Sequence, residues 1–328
     1  MGKVTIEDIS RHTGLSRGTV SRALNNKPDI SAQTKQRVLD ACQELRYVPS
    51  HAARALATGR RYAIAVVVDN FRSAFAAAYV RGVVARAARE RYAVHVAELA
   101  ADPQAALEAL CTLANERVDG VLLGAPLPPD AMAQLRAALE ARPMVACDPG
   151  AASTCDTFGP DYVEAGRLIG RHVLRDGATD VLYVHQAGTP EAEQRLAGFR
   201  EVCREKHVDA DSATLTLRPG DGLAAVPARL GALRAIIADD DFLAVDLMLL
   251  ALAAGRHPGR DIAIAGQGNE ALGARLTPGL TTVDFCGEEI GRRAIETALQ
   301  RITKTRQDAP QQTLVSPVLV VRESTRLS

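Results

Sequence analysis

The sequence contains no tryptophan, and phenylalanine and tyrosine supply only six residues each of its 328. The first absence excludes an indole platform for a pyranose ring. No stretch approaches the roughly 20 apolar residues that span a bilayer. The N-terminus is charged and helix-like, without the apolar core of a secretory signal. Paired-cysteine motifs are missing too. Cys42, Cys111, Cys147, Cys155, Cys203 and Cys286 are scattered with no CxxC, and most fall in apolar runs. They read as small buried hydrophobes in a reducing, cytoplasmic compartment. Cys147 and Cys155 are near enough in sequence for a redox pair, with nothing else in its support. The seven histidines make no HExxH or other metal-ligand spacing. Neither a GxSxG elbow nor a Walker loop occurs. Catalytic residues, metal ligands and cofactors are therefore not expected. One fragment stands against this: GQGNEA at 266–271 follows an apolar strand and fits the GxGxxG/A nucleotide fingerprint, with Asp284 downstream as a ribose ligand. It sits late in the chain and not in a first βαβ unit.

Net charge is also absent, with 39 basic and 39 acidic residues, but the balance is not local. Residues 1–60 hold ten Lys/Arg and five Asp/Glu, a net +5, and the remainder carries −5. A basic head on a mildly acidic body directs only the head to a polyanion.

What is present in that head is organised around SRGTVSRAL, Ser16–Leu24. Thr5 and Asp8 form a capping-box pattern ahead of a first helix, in which Ile6 and Ile9 share a face. Gly14 ends that helix in a tight turn. Ser16 caps a second helix whose inward face is Val20 and Leu24. Helix, short glycine turn, helix is the helix-turn-helix pattern. The outward face is then Arg17, Gly18, Thr19, Ser21 and Arg22. Arginine can grip guanine O6 and N7 in the major groove, worth roughly 1–3 kcal/mol of discrimination. Short hydroxyls suit phosphate oxygens, which position without specifying. Gly18 costs the helix roughly 0.5–1 kcal/mol relative to alanine and lets a backbone lie close. An ordinary solvated helix would carry the same arginines, so the rest of the chain has to decide. Ser31 caps a third helix to about Arg46, with Val38, Leu39, Cys42 and Leu45 inward. Tyr47-Val48-Pro49 breaks it. HAARALA follows, capped by Ser50 and too short to hold as a helix unaided. Its apolar members Ala52, Ala53, Ala55 and Leu56 make a small apolar wedge suited to a minor groove.

VTIEDISRHTGLSRGTVSRALNN and SAQTKQRVLDACQELRYVPSHAARALATGR together resemble the LacI/GalR family of bacterial transcription regulators. The resemblance implies that Arg17, Gly18 and Arg22 read bases and that Ser16, Thr19, Ser21 and Asn25 contact the DNA backbone. It makes Leu56 the hinge leucine that opens a central base step. Thr5, Ser31 and Ala53 complete the expected DNA-facing set.

From Tyr62 the pattern changes. Apolar runs (AIAVVV, YAVHVAEL, DGVLLG, PMVAC) alternate with helical segments ending near Arg91, Arg117 and Arg142. A second series follows: helices from Tyr162, Pro190, near Leu223–Leu233 and from Asp241, with DVLYVH, ATLTL, AIIA and DIAIAG between them. This is α/β patterning with parallel sheets, and the continuous apolar strands call for helices on both faces. Two such series make two lobes with a cleft at the strands' carboxyl ends. RVDGVLLG, DYVEAGRLIGRHVL, QRLAGFREV, GLTTV and LVSPVLVVRES resemble the same family's core, a periplasmic-binding-protein type fold with three crossovers. The expected organisation is a helix-turn-helix domain at 1–48, a hinge and linker at 49–60, and a two-lobed effector and dimerisation domain at 61–328. Lobe one takes about 61–158 and 288–318; lobe two takes about 159–287 and 319–328. The chain stops before the extra helix that makes some members tetramers, so a homodimer is expected. SAFAAAYVRGVVARAAR fits its interface, or is simply a buried helix.

Carried over residue by residue, the effector pocket takes Asp69, Phe71, Arg72 and Phe75 after the first strand. Asp148, Asp161, Arg195 and Asp241 follow. The departures matter as much. The family's Gly-Phe-Asp is here Gly266-Gln267-Gly268, so the usual sugar-binding aspartate is missing, and Gln267 or Asn269 replaces it. Phe285 stands where Gln or Trp is common. The resemblance implies a DNA-binding repressor that binds a palindromic operator and is switched by a sugar or related metabolite, with no membrane partner. The alternatives are a regulator whose cleft answers no small ligand, and an enzyme or nucleotide-binding protein carrying a DNA-binding head.

Overall fold

The computed structural model describes residues 4–24, 29–47, 59–99, 105, 108–109, 111–112, 118–147, 154–218 and 220–327. Contacts divide the chain into one compact unit up to Tyr62 and a second from Ala63 onward. Asn25, Ala53, Leu56, Asp148 and the hinge segment from Val48 to Ala57 lie outside the described residues.

The first unit holds α1 (Ile6–Thr13), α2 (Arg17–Leu24) and α3 (Ala32–Glu44). Thr5 caps α1 in a full capping box with Asp8, and Gly14 closes it in the left-handed region, φ 66°. Ser31 Oγ accepts the Thr34 amide at the head of α3, 3.2 Å. The core is Ile9, Val20, Ala23, Val38 and Ala41. On α2 Val20 and Ala23 are buried, and Leu24, partly buried, packs against the same core. One inward assignment needs correction: Leu39 is 46 % exposed. At 3.6 residues per turn, positions 38, 41, 42 and 45 share one side of α3, and position 39 turns away from it.

The second unit has two sheets. β1 (Ala63–Val68), β2 (Ala93–Glu98), β3 (Gly120–Leu123), β4 (Met144–Ala146), β5 (Asp156–Pro160) and β11 (Gln312–Val315) pair in parallel in the order β11-β5-β4-β3-β1-β2. β6 (Val181–Gln186), β7 (Thr214–Leu217), β8 (Ala235–Ala238) and β9 (Ala263–Ala265) pair in parallel in the order β7-β6-β8-β9. β10 (Thr282–Asp284) and β12 (Val318–Val320) form an antiparallel pair beside the second sheet. All six residues of β1 are buried, because helices cover both faces of the sheet. The chain passes between lobes after β5, after β10 and after β11. β5 itself runs to Pro160, two residues beyond the boundary expected for lobe one.

Helices α4 (Ala74–Arg89) and α5 (Pro129–Leu139) belong to lobe one; α6 (Tyr162–Val173), α7 (Pro190–Glu205), α8 (Pro227–Leu230) and α9 (Asp241–Ala253) belong to lobe two; α10 (Gly287–Thr303) returns to lobe one. The helix expected across Leu223–Leu233 shrinks to the four residues of α8, flanked by turns. Each lobe locks one helix pair through glycine. A methyl at Gly82 of α4 would overlap the Glu288 carbonyl of α10, and one at Gly291 would overlap the Tyr79 carbonyl. In lobe two a methyl at Gly166 would overlap the Arg195 carbonyl, and one at Gly198 the Val163 carbonyl. The second contact sets α7, and with it Arg195, against the first turn of α6.

Cys155 and Cys203 are buried, whereas Cys42, Cys111, Cys147 and Cys286 are only half-buried, and all six are free thiols. The uniform burial expected of the cysteines therefore does not hold. Among the described residues no helix is long and apolar enough to cross a membrane, and no group of three His, Cys, Asp or Glu is placed to hold a metal.

Candidate nucleic-acid face and ligand cleft

In the first unit α2 has two unlike sides. Val20 and Ala23 are buried, while Ser16, Arg17, Gly18 and Arg22 are exposed and Thr19 and Ser21 half-buried. Ser16 Oγ accepts the Thr19 amide at 3.1 Å and meets the Thr19 hydroxyl at 2.9 Å. Arg22 donates to Asp29 at 3.0 Å, with both side chains about half exposed. Such an exposed pair adds little stability and can be exchanged for another acceptor. Gly18 is not required by internal packing. A methyl there would meet only Ser16 Oγ, at 3.7 Å. The fold spends helix propensity on a residue it does not need for its own contacts.

In the second unit the strand ends supply a polar cluster. β6 carries His185 one residue before its end, β8 leads to Asp239, β9 to Gln267 and β10 to Phe285. Asp239 is 2 % exposed and gathers three donors: Tyr183 Oη at 2.6 Å, His185 Nδ1 at 2.8 Å and the Gln186 amide at 2.6 Å. Its Oδ1 also lies 3.6 Å from Arg195 Nε. On its far side His185 Nε2 meets Glu193 at 3.0 Å. Two ionised carboxylates that only accept favour the form in which both ring nitrogens donate, the imidazolium. Accordingly the His185 pKa is raised, first by its hydrogen bond to Asp239. Gln267 donates to Tyr183 Oη at 2.9 Å and to the Ala238 carbonyl at 3.3 Å.

Arg195 stands beside this cluster with its guanidinium over the Tyr162 ring, 5.6 Å from the centroid, and over Phe285, 5.7 Å. The two rings meet edge to face at 5.2 Å. Burial raises the Tyr162 phenol pKa, and Arg195 opposes the shift. Arg195 Nε and Gln267 Oε1 are buried without a hydrogen-bond partner among the described residues.

Facing the lobe-two rim is a cavity of about 280 Å³ whose lining includes Phe71, Arg72, Phe75, Arg81, Asn269, Glu270 and Phe285. Glu270 spans the lobes, its Oε1 accepting the Ala74 amide at the start of α4, 2.9 Å. The loop that carries it is moored firmly. Asp241 accepts the Glu270 amide at 2.6 Å and the Thr282 hydroxyl at 2.6 Å. Asn269 donates to Asp284 at 3.0 Å and accepts from Arg322 at 2.9 Å.

The expected pocket residues therefore separate. Phe71, Arg72, Phe75, Asn269 and Phe285 line the cavity, and Arg195 flanks it; Asp69 is exposed at the end of β1. Three others turn to structural work. Asp161 caps α6 by accepting the Glu164 amide at 2.9 Å. Asp241 is 2 % exposed, with both oxygens already bonded, and burial raises its pKa to about 6. Gln267 is 1 % exposed and points into lobe two. GQGNEA opens no helix; only a 3-10 turn at Gly273–Arg275 follows, so the nucleotide fingerprint lacks the helix N-terminus that would hold a pyrophosphate. Tyr162, Tyr183, His185, Glu193, Asp239 and Glu270 were not anticipated. The signal was available: Tyr183 and His185 are polar breaks in an otherwise apolar strand, and three aspartates follow AIIA.

Residues 5–50 match the description "Bacterial regulatory proteins, lacI family", and residues 171–325 match "Periplasmic binding protein-like domain". The chain belongs to the LacI family. It is a transcription regulator with a helix-turn-helix head and a periplasmic-binding-type ligand domain. It is 29 % identical over 332 residues to the HTH-type transcriptional repressor PurR of Mannheimia succiniciproducens, covering 98 % of both chains. It is also 29 % identical over 333 residues to the HTH-type transcriptional regulator DegA of Bacillus subtilis, again covering 98 % of both. A lac repressor dimer bound to operator and the anti-inducer ONPF shares the fold, with a TM-score of 0.76 at 23 % identity over 100 % of each chain. These named relatives are transcriptional regulators and not enzymes.

Proposed function

We propose that this regulator is a cytoplasmic repressor that binds a pseudo-palindromic operator as a homodimer and is switched by a small molecule in its cleft. Residues 1–48 read the DNA, 49–60 form a hinge, and 61–328 bind effector and dimerise. The observation that carries this reading is the exposed face of α2. It offers Arg17 and Arg22 to base edges, Ser16, Thr19 and Ser21 to phosphates, and at Gly18 a bare backbone that the fold does not itself require. Asn25 belongs to the same expected DNA-contacting set. Thr5 and Ser31 sit at helix N-termini, where phosphate oxygens are favoured. Ala53 and Leu56 supply the minor-groove wedge.

Dimerisation is supported by α9, whose outward face carries three exposed apolar side chains around the exposed Asp246. One side packs into lobe two, and Phe242, Leu249 and Leu252 on the other are 55 %, 59 % and 47 % exposed. A patch of that kind marks an association surface. Effector binding is supported by the cavity and the Arg195–Phe285 rim. Asp148 belongs to the same expected set as Phe71 and Arg72. Closure of the lobes on a ligand alters how paired hinges fold, and a coupling of about 1–3 kcal/mol is enough to switch operator affinity.

The test is a genome-wide map of bound DNA, with footprints on the strongest sites. Palindromes with half-sites about one helical turn apart are expected. Diffuse, salt-sensitive binding would reduce the head to an electrostatic anchor. Within a defined operator, Arg22→Ala should relax preference at one half-site position, with a cost of about 1–3 kcal/mol. Uniform weakening across sequences would make it a phosphate contact.

A further inference from the structure

The rim of lobe two holds an arginine that could grip an acid and a buried aspartate set against it. Arg195 is clamped over Tyr162 and Phe285, and its terminal nitrogens donate no hydrogen bond among the described residues. A guanidinium held so, with its planar fork free, is by itself a bidentate site for carboxylate or phosphate. Asp239 changes that. Its side chain is 1 % exposed, and its Oδ1 faces Arg195 Nε at 3.6 Å. In so dry a setting the opposing charge is screened less than it would be in water. We propose that Asp239 is the specificity-determining residue of the cleft: it holds Arg195 from behind and offsets its charge, so that the rim takes uncharged hydroxyl-bearing ligands and turns away carboxylates and phosphates.

The surroundings point the same way. His185 brings a second positive charge, but it is bonded to Asp239 on one side and Glu193 on the other. Asp69 from lobe one and Glu191 from α7 both lie close enough to raise the Tyr162 phenol. In the adjoining cavity Arg72 and Arg81 are matched by Glu270 and Asp284. An anion would meet Arg195 only by entering among these carboxylates. A hydroxyl can accept from Arg195 and donate to a carboxylate at once.

The assignment rests on the reading of this cleft as the effector site, and its test is kept separate from that reading. Asp239→Asn is the informative change. Its amide oxygen can still accept the Gln186 amide and His185 Nδ1, which leaves the amide nitrogen facing Tyr183 and Arg195. Arg195 then loses its counter-charge while the packing is retained. The full-length protein would be titrated calorimetrically with inorganic phosphate at fixed ionic strength, as wild type, as Asp239→Asn, and as Asp239→Asn with Arg195→Gln. Phosphate affinity should rise at least about tenfold in the single variant and fall back in the double variant. Unchanged affinity in the folded single variant, or a gain that survives Arg195→Gln, would overturn the proposal. Should Asp239→Asn not fold, the wild type decides by NMR. The Arg195 Nε–H resonance should stay fixed as phosphate is added, and a saturable shift would refute the charge-offset role. Failure of the effector reading looks different: no metabolite would release the repressor from its operator, while the phosphate result in Asp239→Asn would stand.

Discussion

In lobe one α4 packs on α10 through Gly82 and Gly291; in lobe two α6 packs on α7 through Gly166 and Gly198. Both lobes place a parallel sheet behind these pairs and turn its carboxyl edge toward the cleft. Their rims then diverge. Behind its rim lobe two holds Tyr183, His185, Asp239 and Gln267, all buried and joined in one chain of hydrogen bonds. Lobe one presents Asp69, Phe71 and Arg72, all exposed, with Phe71 at 55 %. A buried, bonded network has its geometry fixed by the fold, whereas exposed side chains keep their rotamer freedom. In the proposed effector site lobe two is then the preorganised half and lobe one the adaptable half.

The largest expected effect tests what the lobes share. Gly198→Ala forces a methyl into the Val163 carbonyl, a backbone atom that cannot step aside. We expect a loss of about 3 kcal/mol or more in urea unfolding, with a similar loss for Gly82→Ala in lobe one. Tolerance of either would break the parallel between the helix pairs.

A smaller effect tests the preorganised half by pH. Burial raises Asp241 from 3.8 to about 6. The folded state therefore holds this proton over a range in which the unfolded chain has released it. Stability from this group is greatest below pH 3.8 and falls as pH rises to about 6, by an amount on the order of 2–3 kcal/mol. Asp241→Asn can still accept the Glu270 amide and should remove that slope. The difference between wild type and variant should thus change across this window and be flat above it. A constant difference would mean that Asp241 keeps its ordinary acidity in the fold. His185 adds a second slope of the same sign at higher pH. Its pKa is raised by Asp239, so its contribution is present below 6.5 and lost as pH climbs through the folded value.

The smallest effect sharpens the contrast between rims. Phe71→Ala should change stability by less than about 0.5 kcal/mol, as exposed positions usually do. It should still weaken effector-dependent release of operator DNA by several-fold. A stability loss like that of a core residue would show that lobe one is preorganised as well.

Much of this architecture was legible in the chain. Thr5 with Asp8, Gly14, Ser16 and Ser31 announced three helices by local capping chemistry, and AIAVVV, DVLYVH and AIIA announced buried parallel strands. Legibility ended where a side chain's role depends on distant neighbours. The family resemblance makes Asp241 a ligand residue, yet Thr282 and the Glu270 amide, far along the chain, consume both its oxygens. Leu39 looked inward because it is apolar, but the phase of α3 turns it out.

What the sequence determined by itself is what short-range forces decide: helix caps, the two-faced α2, strand identity, the alternation that makes two α/β lobes, and the charge split between head and body. What only the tertiary structure decided is which polar groups are left for a ligand. β6, β8 and β9 lie side by side although 54 residues separate His185 from Asp239, and that adjacency joins an imidazolium, a phenol and a carboxylate in one network. The same adjacency sets Asp239 against Arg195. Hydrogen bonds and ion pairs act over a few ångströms of space, and the distance along the chain does not enter.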